Sequence, residues 1–170
     1  MTKEELRQQF KAERKTFKAS LDGPQHRLLL QKIADNLLST LPSRELNIFV
    51  YKPFRSELPV TAMLAGHRNL RLFFPKIRGS GMLLQSAENK HSFLAMSQLD
   101  YVIVPGLYID PQGFRLGRGG GYYDRFLRFF QRSRSIFVAY SWQQLKELPI
   151  DEWDRRVGLF VNEERVQRFF

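Results

Sequence analysis

No cysteine occurs in the 170 residues, which excludes disulfides and cysteine metal sites without fixing a compartment. Long apolar runs are also missing. Runs such as Tyr101–Pro105 fall far short of the roughly 20 residues that cross a bilayer as a helix. The opening segment is charged and carries Glu4, Glu5 and Glu13, unlike a signal peptide or an acid-poor transit peptide. A cytoplasmic location without a membrane partner is therefore expected. There is no internal repeat and no interdomain linker, so residues 1–170 are expected to form a single domain. What is present suits a packed core: 43% hydrophobic and 14% aromatic residues exclude global disorder. The net charge of +10 attracts polyanions, among them nucleotides, nucleic acid and polyglutamylated or phosphorylated small molecules, and does not choose between them.

Thr2-Lys3-Glu4-Glu5 fits a capping box, and the helix it opens is expected to run to about Ala19 with Leu6, Phe10 and Phe17 on its inner stripe. A second helix follows Asp22-Gly23-Pro24 to about Leu41, with Leu29, Ile33, Leu37 and Leu41 inward. Leu46–Tyr51, Leu70–Phe74 (stopped by Pro75), Met82–Gln85, Tyr101–Val104, Ser135–Tyr140 and Val157–Val161 read as strands. Short helices are expected over Pro59–Ala65 and Gln143–Leu148. A loop should span Pro105 to Gly121, followed by a helix from Tyr122 to about Gln131. Residues 86–99 show no clear periodicity. Apolar strands alternating with amphipathic helices predict an α/β fold, a three-layer α/β/α domain with a mostly parallel, Rossmann-like sheet. Ligands in such sheets bind beyond the carboxyl ends of the strands.

The segment Val104–Arg125 is the informative one. Gly117, Gly119, Gly120 and Gly121 let backbone N–H groups come close to a ligand, and Arg115 and Arg118 add forked donors that match phosphate oxygens. The helix behind them contributes unpaired N–H groups and a positive dipole end. No Lys-Ser or Lys-Thr follows the glycines, so this is not a Walker A loop, and Tyr122 breaks a dinucleotide G-x-G-x-x-G. A phosphate-gripping loop is the favoured reading. A glycine hinge before a helix, or an arginine-glycine stretch on RNA phosphates, stay open on the chemistry alone.

The same segment resembles the signature of the 5-formyltetrahydrofolate cyclo-ligases (methenyltetrahydrofolate synthetases), with Pro105, Gly106, Asp110, Gly113 and every residue from Arg115 to Asp124 in place. Lys3 and Arg7, on one helix face, resemble the Lys-x-x-x-Arg pair of that family that contacts ATP phosphates. Ser56-Glu57 resembles its folate-contacting acid, and Pro75 and Met82 resemble residues of its pterin pocket. Gln144-Leu145, Leu148-Pro149 and Asp154 resemble its C-terminal region. The resemblance implies ATP- and Mg2+-dependent cyclisation of 5-formyltetrahydrofolate, free or polyglutamylated, to 5,10-methenyltetrahydrofolate with release of ADP and phosphate. It implies that Lys3, Arg7 and the run Arg115, Leu116, Gly117, Arg118, Gly119, Gly120, Gly121, Tyr122 and Tyr123 bind ATP. Glu57 and Arg118 through Tyr122 would face the folate, with Arg118 and Tyr122 at the reacting formyl group, and Asp124 would hold magnesium. A monomer without a nucleic-acid partner is expected. The chain departs from the family at Tyr108-Ile109, where Ala-Phe is usual, and in lacking a Glu-Pro element between Gln85 and Leu99. Gly158 stands where a second acid is usual. The alternatives are an ATP-binding relative with another substrate or no activity, and a basic RNA-binding module.

Overall fold

The computed structural model describes residues 1–53 and 57–169; Ser56 lies outside the described residues. In chain order the strands are β1 (Leu46–Val50), β2 (Leu70–Arg78), β3 (Gly81–Ser86), β4 (Phe93–Leu94), β5 (Tyr101–Val104), β6 (Tyr108–Ile109), β7 (Arg115–Leu116), β8 (Ser135–Val138), β9 (Leu159–Val161) and β10 (Val166–Arg168). All except β6 and β7 join an 8-stranded sheet in the order β10-β9-β8-β5-β1-β2-β3-β4. From β9 to β2 neighbouring strands are parallel; β10, β3 and β4 are antiparallel additions at the edges. The helices are α1 (Lys3–Ala19), α2 (Gly23–Ser39), α3 (Val60–Leu64) and α4 (Tyr122–Leu127).

Side-chain alternation explains why the inner strands are apolar throughout. Leu46, Ile48 and Val50 of β1, with Ile103, Ile136 and Val138, and Leu159 and Val161, pack under α2 and α3 through Ile33, Leu37, Val60 and Leu64. Phe49, Val102, Val104, Phe137 and Phe160 point the other way, against Phe126 and Leu127 of α4. The outcome is the expected mostly parallel α/β/α sandwich. α1 stands apart from these layers. Its Leu6 and Phe10 seat on Leu107, Tyr108, Leu116 and Leu148, beside Trp142. Phe10 meets Tyr108 edge-on at 5.4 Å and stacks with Trp142 at 5.6 Å. The Thr2–Glu5 capping box starts α1 as expected, whereas Phe17 is only half-buried, its ring against Tyr140 and Trp142.

Several boundaries differ from expectation for identifiable reasons. β2 runs through Pro75, because pairing with β1 ends at Phe49↔Phe73 and β3 is then its one neighbour, an edge setting that tolerates a missing N–H. The segment Pro105–Gly121 contains the β6–β7 hairpin, and Asp110 caps its turn by accepting from the N–H groups of Gln112 and Phe114. No helix forms over 143–148: a 3-10 turn covers Ser141–Gln143, and Leu145 N–H donates to the Ile109 carbonyl of the hairpin instead. α4 stops at Leu127 rather than near Gln131, and α2 ends at Ser39 with Thr40 as cap. Val157 N–H donates to the Gly113 carbonyl, so the last parallel strand starts later, at Leu159, and β10 follows it unforeseen.

Read from β2 through β1, β5, β8 and β9, the parallel strands reverse their winding between β1 and β5. At such a reversal the outgoing loops diverge and open a crevice at the carboxyl ends. Glu57 follows β1, and the glycine-rich segment follows β5.

Candidate active site

The β6–β7 hairpin delivers Arg115 with its side chain 2% exposed. Its Nη2 donates to Asp124 Oδ1 at 3.3 Å, while Nε is buried with no partner among the described residues. Burial pulls the guanidinium's pKa down and the carboxylates of Asp124 and Asp154 pull it back up, the net direction being downward; an arginine stays cationic regardless. Directly above it runs the loop Gly117–Gly121: a Cβ on Gly117 would sit 3.0 Å from Arg115 Nη1. Gly119 and Gly121 hold φ of 105° and 65°, a region that side-chain-bearing residues avoid. Among the described residues the N–H groups of Gly117, Gly119, Gly120 and Gly121 find no backbone acceptor. α4 behind them has 6 residues, too short for the strong dipole end anticipated. The donors suited to an anion here are the loop amides and the arginines rather than the helix end.

Around the loop, each charged group has a place. Arg118 forks onto Glu57 Oε1, at 2.7 Å from Nη2 and 3.0 Å from Nε, with further contacts to both. Glu57 precedes α3, which begins at Val60. Behind the pair the buried Tyr51 phenol is pushed up, by desolvation first and by Glu57 second. Arg7 Nε donates to the Gly117 carbonyl at 3.1 Å, and its Nη1 pairs with Glu4. Lys3 is gripped by Asp151 at 2.6 Å and by Asp154. Burial opposes the Lys3 charge, but these two hydrogen bonds outweigh it and raise the pKa. Asp124 Oδ1 also accepts from Arg155 N–H.

A cleft of about 520 Å³ opens between these groups. Lys3, Arg7, the run Arg115–Asp124, Pro75 and Met82 all border it. Two expected residues stand differently. Leu116 turns its side chain into the α1 cluster, and Glu57 lies behind Arg118, facing a small cavity with Tyr51 and Phe10. Tyr123 is largely a packing residue, its ring 6.1 Å from Phe49 and its hydroxyl buried without a partner among the described residues. Gly158 is away from the cleft, and a Cβ there would lie 2.2 Å from the Arg132 carbonyl oxygen, so no acid fits at that position. Ile77, Asp151 and Trp153 border the cleft and were not anticipated. Ile77 follows from β2 continuing past Pro75. The turn Asp151–Asp154 has no periodicity, and its one signal was three acids around an aromatic after Pro149.

The model of the 5-formyltetrahydrofolate cyclo-ligase family matches residues 1–163. The 5-formyltetrahydrofolate cyclo-ligase of Haemophilus influenzae is 27% identical over 173 residues, spanning 87% of this chain and 92% of its own. A 5,10-methenyltetrahydrofolate synthetase of Mycoplasma pneumoniae superposes with a TM-score of 0.79 at 28% identity, over 96% of this chain and all of its own. The Aquifex aeolicus 5,10-methenyltetrahydrofolate synthetase gives 0.80 at 29%, over 99% and 93%. With the glycine loop, the sheet order and nearly the whole length in agreement, the chain belongs to the 5-formyltetrahydrofolate cyclo-ligase family, a family of ligases.

Proposed function

We propose that the protein uses magnesium-ATP to close 5-formyltetrahydrofolate, free or polyglutamylated, into 5,10-methenyltetrahydrofolate, releasing ADP and phosphate. The observation that carries the reading is the set of glycine amides at 117, 119, 120 and 121, without a backbone acceptor among the described residues, lying over the buried Arg115, whose Nε has no partner among them. Backbone donors and a guanidinium fixed in a partly enclosed cleft favour a chain of phosphates, because each charge-assisted bond contributes about 1.5–3 kcal/mol.

The chemistry requires such a site. A formamide carbon is a weak electrophile and its oxygen a poor leaving group. Transfer of the γ-phosphoryl to the formyl oxygen breaks the bond to ADP and leaves an iminium phosphate. Attack by N10 on the formyl carbon then closes the ring; loss of the N10 proton and departure of phosphate give the methenyl product. Positioning and charge neutralisation are the protein's share. Arg115 and the loop amides hold the phosphates. Arg118 neutralises charge on the oxygen in transit, and Glu57, behind it within the same ion pair, fixes that guanidinium; acceptance from pterin N–H donors by Glu57 requires the pair to open towards the cleft. Tyr122 flanks the reacting group, and Pro75, Ile77 and Met82 supply an apolar wall.

Magnesium suits the donors present. Among the described residues no group of three or more acids or histidines gathers, so a hard cation here takes few protein oxygens and completes its shell with water and phosphate, the habit of magnesium. Asp124 would hold it, and the ion would supply neutralisation of the phosphate oxygens. Lys3 and Arg7, engaged with Asp151, Asp154 and the Gly117 carbonyl in this structure, stand close enough to the cleft to add charge once a nucleotide competes for them. The absent acid at Gly158 favours a second reading, an ATP-binding relative with a different substrate. The test is growth of methenyl absorbance on mixing protein, 5-formyltetrahydrofolate, ATP and magnesium. Growth that depends on ATP supports the first reading; none from folded protein that binds ATP moves the assignment to the second.

A further inference from the structure

We propose that Arg125, which does not border the cleft, is a positioning residue that aims the glycine loop's amides at the phosphates. The inference rests on the reading of that loop as the nucleotide site. Arg125 lies within α4, and its side chain folds back over the loop. Nη2 donates to the Gly120 carbonyl at 3.1 Å, Nε donates to the Ser80 carbonyl at 3.0 Å, and the guanidinium lies 4.8 Å from the centre of the Tyr122 ring. Two carbonyls and a ring face fix the plane of one group, an arrangement only a forked planar cation can satisfy.

The consequence follows from peptide geometry. In a trans peptide the C=O and the next N–H point in opposite directions. Gly120 and Gly121 border the cleft whereas Arg125 does not, so drawing the Gly120 carbonyl towards Arg125 turns the Gly121 N–H towards the cleft. That N–H has no backbone acceptor among the described residues. With the peptide flipped, the loop would offer an incoming phosphate a carbonyl oxygen in place of a donor. At Gly121, with φ 65°, glycine leaves the chain free to adopt either arrangement, so something outside the loop must choose. Arg125 makes that choice. Through Ser80 it also ties the loop to the turn between β2 and β3, the strands that carry Pro75, Ile77 and Met82. The nucleotide side and the apolar wall are thereby held at one spacing.

The test is calorimetry of magnesium-ATP with the wild type, Arg125→Ala and Arg125→Lys. Arg125→Ala is expected to bind about tenfold more weakly, the scale of one lost charge-assisted bond, with the ATP KM rising more than kcat falls. Arg125→Lys should lose several-fold, since an ammonium cannot span both carbonyls. Ethylguanidinium added in solution should restore Arg125→Ala and leave the wild type unchanged. Wild-type affinity per folded molecule in both variants overturns the proposal, as does a loss in normally folded Arg125→Ala that ethylguanidinium leaves untouched. If Arg125→Ala does not fold, unchanged affinity in Arg125→Lys overturns it and weakened affinity supports it. A wild type that takes up no magnesium-ATP sinks the reading of the loop itself, before any variant is compared.

Discussion

Arg118 is nearly half exposed, at 47% of its side chain, and is paired with Glu57. Exposed pairs contribute about 0–1 kcal/mol to stability, whereas a cation placed where charge develops is worth about a hundredfold or more in turnover. Arg118→Ala should therefore lose at least about a hundredfold in kcat while its melting temperature stays within about 4 °C of wild type. Collapse of the fold on that substitution would make Arg118 a structural residue. The same contrast explains what could be read from residues alone. The glycines and arginines at 115–121 announce themselves because few other roles need that density of bare backbone and fixed charge. Asp151 and Trp153 could not be found this way, since their approach to Lys3 and the cleft depends on packing between segments far apart in the chain. Arg125 carries no such signal, because its two carbonyl partners are set by the folded loop and by the β2–β3 turn.

Among the elements, α1 carries cleft residues without belonging to the sandwich. Lys3 and Arg7 reach the cleft because Leu6 and Phe10 seat the helix on the hairpin and Trp142. Phe10 is 7% exposed, and removing such a ring typically costs about 3–5 kcal/mol. Phe10→Ala should lower the urea midpoint accordingly and weaken magnesium-ATP binding in the molecules that remain folded. Normal affinity in that variant would show that α1 does not serve the site. The helix itself was legible from Thr2 to Ala19, because a capping box and a regular apolar spacing are local signals. The inner strands were legible for a similar reason, as short apolar runs bounded by turn residues. The shortness of α4, the passage of β2 through Pro75 and the irregular stretch after Gln143 were not. The last two are decided by a partner elsewhere: the edge position of β2, and the hairpin carbonyl that takes Leu145 N–H.

Taken as a whole, the molecule should be sensitive to alkali rather than mild acid through the groups most perturbed. The phenols of Tyr51, Tyr108, Tyr123 and Tyr140 are all pushed up, burial being the largest cause in each case, with Tyr140 pushed up to about 12. An unfolded phenol ionises near pH 10. Their contribution to stability is therefore complete below about pH 10 and is lost as pH rises towards the folded values. Lys3 has the same sign, its charged form being favoured by Asp151 and Asp154 in the fold. Urea midpoints should fall above about pH 10, and tyrosinate absorbance from these four rings should appear together with unfolding. Ionisation of all four in a still-folded protein would contradict their burial. The seat of α1 also carries a cost in time. Lys3 and Asp151 are 148 positions apart, and Trp142 lies far along the chain from α1, so this helix leaves the ribosome well before its seat and must wait, greasy stripe outward, for that seat to be made. Premature association through that stripe is the misfolding hazard this architecture creates for itself.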